Sequence, residues 1–161
     1  MSLEKVKAYF DSLGMKDRVL EFDQSSATVA LAAAALHTQE ARIAKTMSFL
    51  VDGKAILVVT AGDTKIDNAK YRHRFGCKAK MLSAEELAAL VGHEPGGVCP
   101  FAVGKDVAVY LDGSLRRFDT VFPAAGSHNS AIELTPAALE KYASNGATWV
   151  DVSKASQAAG A

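Results

Sequence analysis

The strongest constraint in this chain is the pair Asp52-Gly53, set between two long apolar runs, RIAKTMSFLV and KAILVVTA. Asp-Gly supplies the two positive-φ residues of a tight two-residue turn, so the flanking runs fold back on each other as an antiparallel hairpin. Spacing along the first run is uneven, because Ile43, Thr46 and Phe49 break strict alternation. A strand with that pattern either carries a bulge or is covered on both faces.

Helices are marked by their ends as much as by their periodicity. SLEKVKAYFDSLG repeats apolar residues at Leu3, Val6, Tyr9, Phe10 and Leu13 and stops at Gly14, an amphipathic helix with Ser2 as N-cap and a glycine beyond its end. TVALAAAALHT holds no breaker and little that is polar, so it reads as a second, mostly buried helix. A short basic helix is expected over Asn68–Phe75. SAEELAALVG begins with Ser83 and carries Glu86 at the spacing of a reciprocal capping box. TPAALEKYA places Thr135 at the N-cap and Pro136 at the first helical position, and ends near Asn145-Gly146.

Between these segments DVAVYLD, FDTVFPAAG, SAIEL and TWVDV read as strands, with a further short one around residues 80–82. SKASQAAGA is small and polar enough to be a frayed tail, placed at residues 152–161. About six or seven strands in hairpins and about five helices give an α/β, more strictly α+β, chain built on a mixed twisted sheet or partial barrel. With 161 residues and 49% hydrophobic content, the chain fits one domain, residues 1–161, that buries its own core. The longest apolar runs, residues 30–36 and 55–61, fall well short of the ~20 residues a membrane span requires, and MSLEKVKAYF lacks a signal-peptide core. A cytoplasmic protein with no membrane partner is expected.

Net charge is zero, yet residues 1–80 hold 13 basic and 9 acidic side chains while residues 81–161 hold 5 and 9. The excess concentrates in TKIDNAKYRHRFGCKAK, where Lys65, Lys70, Arg72, Arg74, Lys78 and Lys80 face one acid, Asp67. Such a run is either a solvated helix face or a place where a polyanion docks. Cys77 and Cys99 lie too far apart for a CxxC pair, so neither a redox motif nor a zinc knuckle is legible. His93-Glu94 ahead of Cys99 lacks the H-x-E and P-C-x-x-C spacings of a zinc deaminase. Phosphate-binding and dinucleotide glycine patterns are absent too. Ser127, His128 and Asp119 make a triad only on paper, since no G-x-S-x-G elbow presents the serine. No metal and no cofactor is expected.

What remains is two loops and one lysine. VGHEPGGVCPF packs glycines, prolines, a histidine and a cysteine between a helix-like run and a strand-like one. AAGSHNSAIEL sets Gly126, Ser127, His128, Asn129 and Ser130 in succession between two strands. Lys45 interrupts the apolar run IAKTMSF, where a charge either points to solvent or is held by a partner, because an unpaired buried ammonium is costly. Asp63, in AGDTKID, is either a turn residue or a support for that lysine.

Taken in order, ARIAKTMSFLVDGKAILVVTAGDTKID, GHEPGGVCPF and the small-residue loop leading to AIEL and TPAAL resemble the YbaK and prolyl-tRNA synthetase-associated editing domain family. The resemblance runs from about residue 22 to residue 152. It implies an aminoacyl-tRNA deacylase that hydrolyses the ester of mischarged tRNA, above all proline tRNA carrying a small non-cognate amino acid. Its implied partners are the acceptor end of the mischarged tRNA and prolyl-tRNA synthetase.

Residue by residue, the resemblance puts the family's strand lysine on Lys45; Thr46 beside it and Asp63 are expected to be among the substrate-binding residues. The pocket-wall motif falls on Gly92, Pro95, Gly96, Val98, Pro100 and Phe101, and Gly97 within it is expected to bind substrate too. The later loop bordering the scissile ester falls on Gly126, Ser127, His128 and Asn129, with Lys45, Gly126, Ser127 and His128 as the catalytic set. Lys70, Arg72 and Arg74 are the expected tRNA contacts. Ala131 stands at the strand entry where cysteine-specific relatives carry an acid, so serine, threonine, alanine and small non-protein amino acids all stay open as substrates. Two other readings stay open as well, a non-catalytic tRNA- or synthetase-binding module and an esterase of small aminoacyl esters.

Overall fold

The computed structural model describes residues 2–156, except for the side chain of Ser2. The expected N-cap role of Ser2 and the last five residues of the tail, 157–161, lie outside the described residues. In chain order the elements are α1 (Ser2–Ser12), β1 (Val19–Glu21), α2 (Val29–Leu36), β2 (Ile43–Val51), β3 (Lys54–Ala61), β4 (Thr64–Ile66) and α3 (Asn68–Phe75). There follow α4 (Ala84–Glu86), which runs on into a π turn over Leu87–Val91, then β5 (Ala108–Asp112), β6 (Phe122–Pro123), β7 (Ser130–Ile132), α5 (Pro136–Tyr142), β8 (Ala147–Val150) and β9 (Ser153–Ala155).

The hairpin is the frame of the molecule. β2 and β3 pair antiparallel without a break from Ala44↔Ala61 to Val51↔Lys54, and the turn residues Asp52 and Gly53 have φ of 52° and 78°. No bulge interrupts the ladder; the uneven spacing of β2 reflects two covered faces. Parallel pairings then extend the sheet on both sides, giving the order β6-β2-β3-β5-β8. The mixed α+β architecture expected from the sequence is therefore present, although its strands number nine among the described residues, in one five-stranded and two two-stranded sheets.

One face of the sheet buries the main core, in which Leu57, Val59 and Leu111 meet Phe10, Phe101, Leu115, Ile132 and Leu139. α1 reaches it through Val6 and Phe10, and the Phe10 and Phe101 rings meet edge to face at 4.9 Å between centroids. Each such fully buried aromatic contributes about 1.5–3 kcal/mol. On the other face a smaller core joins Phe49, Ile56 and Val58 to Tyr71 of α3. The helix starts hold as read: Thr135 accepts from the Ala138 amide at 3.0 Å, and Ser83 and Glu86 cap each other.

Three expectations need correction. α2 is not mostly buried, since only Ala32 and Ala33 are sequestered and Leu31 is 45% exposed; alanines are short, and one face of the helix is enough to cover Ile43 and Phe122. Residues 80–82 make no strand but a single bridge, Met81 to Phe49. The tail begins later than residue 152, because Ser153–Ala155 forms β9 antiparallel to β4. Polar side chains concealed that strand: its backbone bonds, not its hydropathy, hold it in place.

Candidate active site

The separated motifs meet at the open edge of β2. Pairing with β6 stops at Ala44↔Pro123, and further along the same edge the Ser48 carbonyl accepts from the Leu82 amide while the Leu50 amide donates to Lys80. Backbone groups along a strand alternate in direction, so the N–H and C=O of Thr46 face that same edge, in the gap neither pairing covers. A cavity of about 140 Å³ sits there, lined by Ile43, Ala44, Lys45 and Thr46 of β2. Gly96 and Val98 of the glycine motif line it from one side, Ser130 and Ala131 of β7 from another. Its remaining walls are Ser26, Ala27, Thr28, Val29 and Ala32 with Phe122 and Ala124. At well below the 300–1,000 Å³ of drug-sized sites, it has room for one small group.

The glycine motif turns a corner in order to make that wall. The Gly97 amide donates to the Glu94 carbonyl at 3.1 Å across Pro95 and Gly96, and Gly96 has φ of 87°. Proline followed by a positive-φ glycine is the chemistry of a type II turn. The turn packs against the later loop so closely that a Cβ at Gly97 would sit 2.7 Å from the Ser127 nitrogen. One at Gly96 would sit 3.3 Å from the Ala27 Cβ and 3.5 Å from that of His128.

The later loop is fixed from within. The Ser127 hydroxyl donates toward Asn129 Oδ1 at 2.9 Å and Ser130 Oγ at 2.7 Å, and the Ser127 amide donates to Ser130 Oγ at 3.2 Å. Asn129 Nδ2 donates to the Phe22 carbonyl at 2.9 Å, and the His128 carbonyl accepts from the Ser26 amide. The Ser127 hydroxyl is thus engaged within its own loop, and His128 is exposed.

Among the described residues, Lys45 is the one charged group in the cavity wall. Its Nζ donates to the Thr64 carbonyl at the start of β4, and burial pushes its pKa below the ordinary lysine value while Asp63 pulls the other way. Asp63 itself is taken by Arg117, whose two guanidinium nitrogens donate to its two oxygens at 2.9 and 2.5 Å. That fork holds the Asp63 pKa below the usual carboxylate range.

A family profile described as the aminoacyl-tRNA editing domain matches residues 23–142. The chain belongs to that family. An uncharacterised Bacillus subtilis protein, YwhH, is 52% identical over 155 residues, covering 96% of this chain and 98% of YwhH. The proline–tRNA ligase of Bacillus licheniformis is 29% identical over 87 residues, which are 53% of this chain but only 15% of the ligase. Among solved structures, a candidate trans-editing enzyme for prolyl tRNA synthetase superposes with a TM-score of 0.84 at 25% identity, over 95% of this chain and 97% of that one.

Of the site residues expected in the editing domain, Lys45, Thr46, Gly96 and Val98 line the cavity, and Gly97, Gly126, Ser127, His128 and Asn129 stand behind or beside that wall. Pro95 is the exposed corner of the turn. Gly92, Pro100 and Phe101 are elsewhere: Gly92 ends the π turn with φ of 91°, and Pro100 and Phe101 are buried, Phe101 in the main core. Asp63 faces Arg117 rather than the cavity. His93, in the same motif, is 1% exposed and bonds the Phe101 carbonyl at 2.8 Å, and Cys99 is a fully buried thiol beside it. The expected tRNA contacts divide as well. Lys70 is tied to Asp151 at 2.9 Å and Arg74 lies over the Phe75 and Tyr110 rings, whereas Arg72, with His73 and Lys78, lines a groove of about 920 Å³.

Sequence reasoning missed residues 26–29 with Ala32, the pair Ile43 and Ala44, and the pair Phe122 and Ala124. Their one legible signal was the run of alanines ahead of a lysine-bearing strand, since small side chains leave room where larger ones would close the cavity.

Proposed function

We propose that the protein is a trans-editing aminoacyl-tRNA deacylase that hydrolyses the ester between proline tRNA and a small non-cognate amino acid. The observation that carries the reading is the cavity at the open edge of β2, where one half-buried ammonium and an unpaired stretch of strand meet a mostly apolar pocket of about 140 Å³. Ala27, Ala32, Ala44 and Ala131 are the small walls that would face the aminoacyl side chain. Discrimination by such a pocket suits editing, because one methylene is worth only ~1–3 kcal/mol and a synthetic site alone rejects near-isosteres poorly.

Roles follow from chemistry and place. Lys45, cationic and short of a carboxylate partner, holds the anionic 3′ end of the tRNA at the mouth. The Thr46 amide is the donor aimed at the ester carbonyl, where negative charge develops as water adds. The Gly97 and Ser127 amides already serve the turn and the loop, so they are not the oxyanion donors. His128 at the rim meets the terminal nucleotide, and Ser127 and Asn129 keep the loop that carries it in register. Arg72 and Lys78 take phosphates of the acceptor stem, a contact that weakens steeply with salt. Prolyl-tRNA synthetase is the partner that would supply mischarged product.

A single-turnover assay on mischarged proline tRNA tests the proposal. Wild-type protein should release the amino acid, and Lys45→Ala should slow release by about 10²-fold or more while the circular dichroism spectrum stays unchanged. Equal rates for the two proteins would remove Lys45 from the mechanism. No release from any mischarged proline tRNA would leave a binding module of the same fold.

A further inference from the structure

The Asp63-Thr64 turn beneath Lys45 is clamped from four sides. A Cβ at Gly62 would fall 2.1 Å from the Glu40 carbonyl oxygen, so the chain there is pressed against its neighbour. Thr64 Oγ1 donates to the Ala61 carbonyl at 2.7 Å, and the Ser156 amide donates to the Asp63 carbonyl at 2.9 Å. The fourth clamp is Arg117, which forks onto both Asp63 oxygens and donates its Nε–H to the Ser114 carbonyl at 2.8 Å. Planar, bidentate pairing of this kind is the geometry in which a guanidinium outcompetes an ammonium for a carboxylate.

We infer that Arg117 is a positioning residue for Lys45: its fork on Asp63 fixes the Thr64 carbonyl that receives the Lys45 ammonium and withholds the Asp63 carboxylate from that ammonium. The inference rests on the proposed deacylase function, in which Lys45 meets the anionic end of the substrate. The Asp63 charge opposes the effect of burial on the Lys45 ammonium. A carboxylate free to swing onto Lys45 would compete with the tRNA phosphate for the same cation; with Arg117 in place, Lys45 keeps a neutral carbonyl partner that an incoming anion displaces at little cost. Arg117 lies in the turn after β5, far along the chain from the residues it serves.

Two readouts test this, the first of them independent of hydrolysis. The pKa of Lys45 is followed by NMR after reductive methylation with ¹³C-formaldehyde, and KM and kcat are measured on mischarged proline tRNA. Arg117→Ala should raise the Lys45 pKa by about one unit, as an uncompensated neighbouring carboxylate does. It should also raise KM about tenfold, the scale on which small misplacements act, with a lesser effect on kcat. Adding Asp63→Asn to Arg117→Ala should reverse the change in the Lys45 pKa, since it removes the uncompensated charge, and Arg117→Lys, which keeps a cation near Asp63, should hold that pKa near its wild-type value. An unmoved Lys45 pKa in folded Arg117→Ala, or a double variant no better than the single one, overturns the inference and leaves Arg117 a plain brace. Should Arg117→Ala fail to fold, Asp63→Asn alone decides, because it should lower the Lys45 pKa and an unchanged value overturns the claim. Wild-type protein that hydrolyses no mischarged tRNA, yet shows the expected titrations, would contradict the deacylase reading and sustain this one.

Discussion

An ammonium as enclosed as that of Lys45 usually finds a carboxylate, since burial without one is costly. Here it finds the Thr64 carbonyl, and the available acid is occupied by Arg117. Glycine matters at this scale in the same concrete way. Gly97 sits where any side chain would meet the Ser127 backbone at 2.7 Å, so Gly97→Ala should cost about 1–3 kcal/mol of stability by forcing two loops apart. A thermal melt reads that cost, and an unshifted transition would mean that the loops separate freely. His93 makes a pH prediction. Burial holds its pKa below the ordinary value near 6.5 that the unfolded chain would show, and its Nδ1 is buried without a partner. Above about pH 6.5 both states are neutral and its contribution is complete; as pH falls through the interval down to the folded pKa, the unfolded chain takes up a proton that the folded one refuses, and stability drops. Urea midpoints measured across that interval should fall for the wild type and fall less for His93→Asn.

Elements differ in how openly the sequence announces them. Asp52-Gly53, Ser83 with Glu86, and Thr135-Pro136 are local chemistry, and each appears in the structure where it was expected. β9 and the bridge at Met81 depend on partners far along the chain, Thr64–Ile66 and Phe49, and nothing in SKA or KML specifies those partners. β9 carries a functional consequence: it pairs with β4, whose first residue holds Lys45, and Ser156 fixes the Asp63 carbonyl. Deleting residues 153–161 should therefore lower the thermal midpoint and depress deacylation together. Full activity in the truncated protein would show that β4 keeps its place unaided.

Across the whole molecule, the residues that line the cavity come from β2, the glycine motif, β7, the start of α2 with the segment before it, and the stretch around Phe122. The motif-bearing parts of that set were legible as a resemblance. Ala27 and Ala32 were signalled only by a stretch rich in alanine, because an alanine that leaves space and one that fills a core are the same letter. The basic run shows the same limit, since composition marked six cations but only the folded chain separates Lys70 and Arg74, engaged within the protein, from Arg72 and Lys78, which line the groove. Arg72→Glu with Lys78→Glu should weaken tRNA binding uniformly across amino acids and reduce the salt slope by about one for each phosphate that is no longer neutralised. Hydrolysis of an aminoacyl-adenosine should be unaffected, and a matching decline on that minimal substrate would place the two residues in the cavity chemistry instead.

The decisive measurement is deacylation of proline tRNA charged in turn with alanine, cysteine, serine, threonine and 2-aminobutyrate, with correctly charged prolyl-tRNA as control. Rapid release from one or two of the mischarged species, with proline retained, is the expected result and names the substrate. Release of proline at the same rate as the others, or of nothing at all, would contradict a small-pocket editing site at the edge of β2.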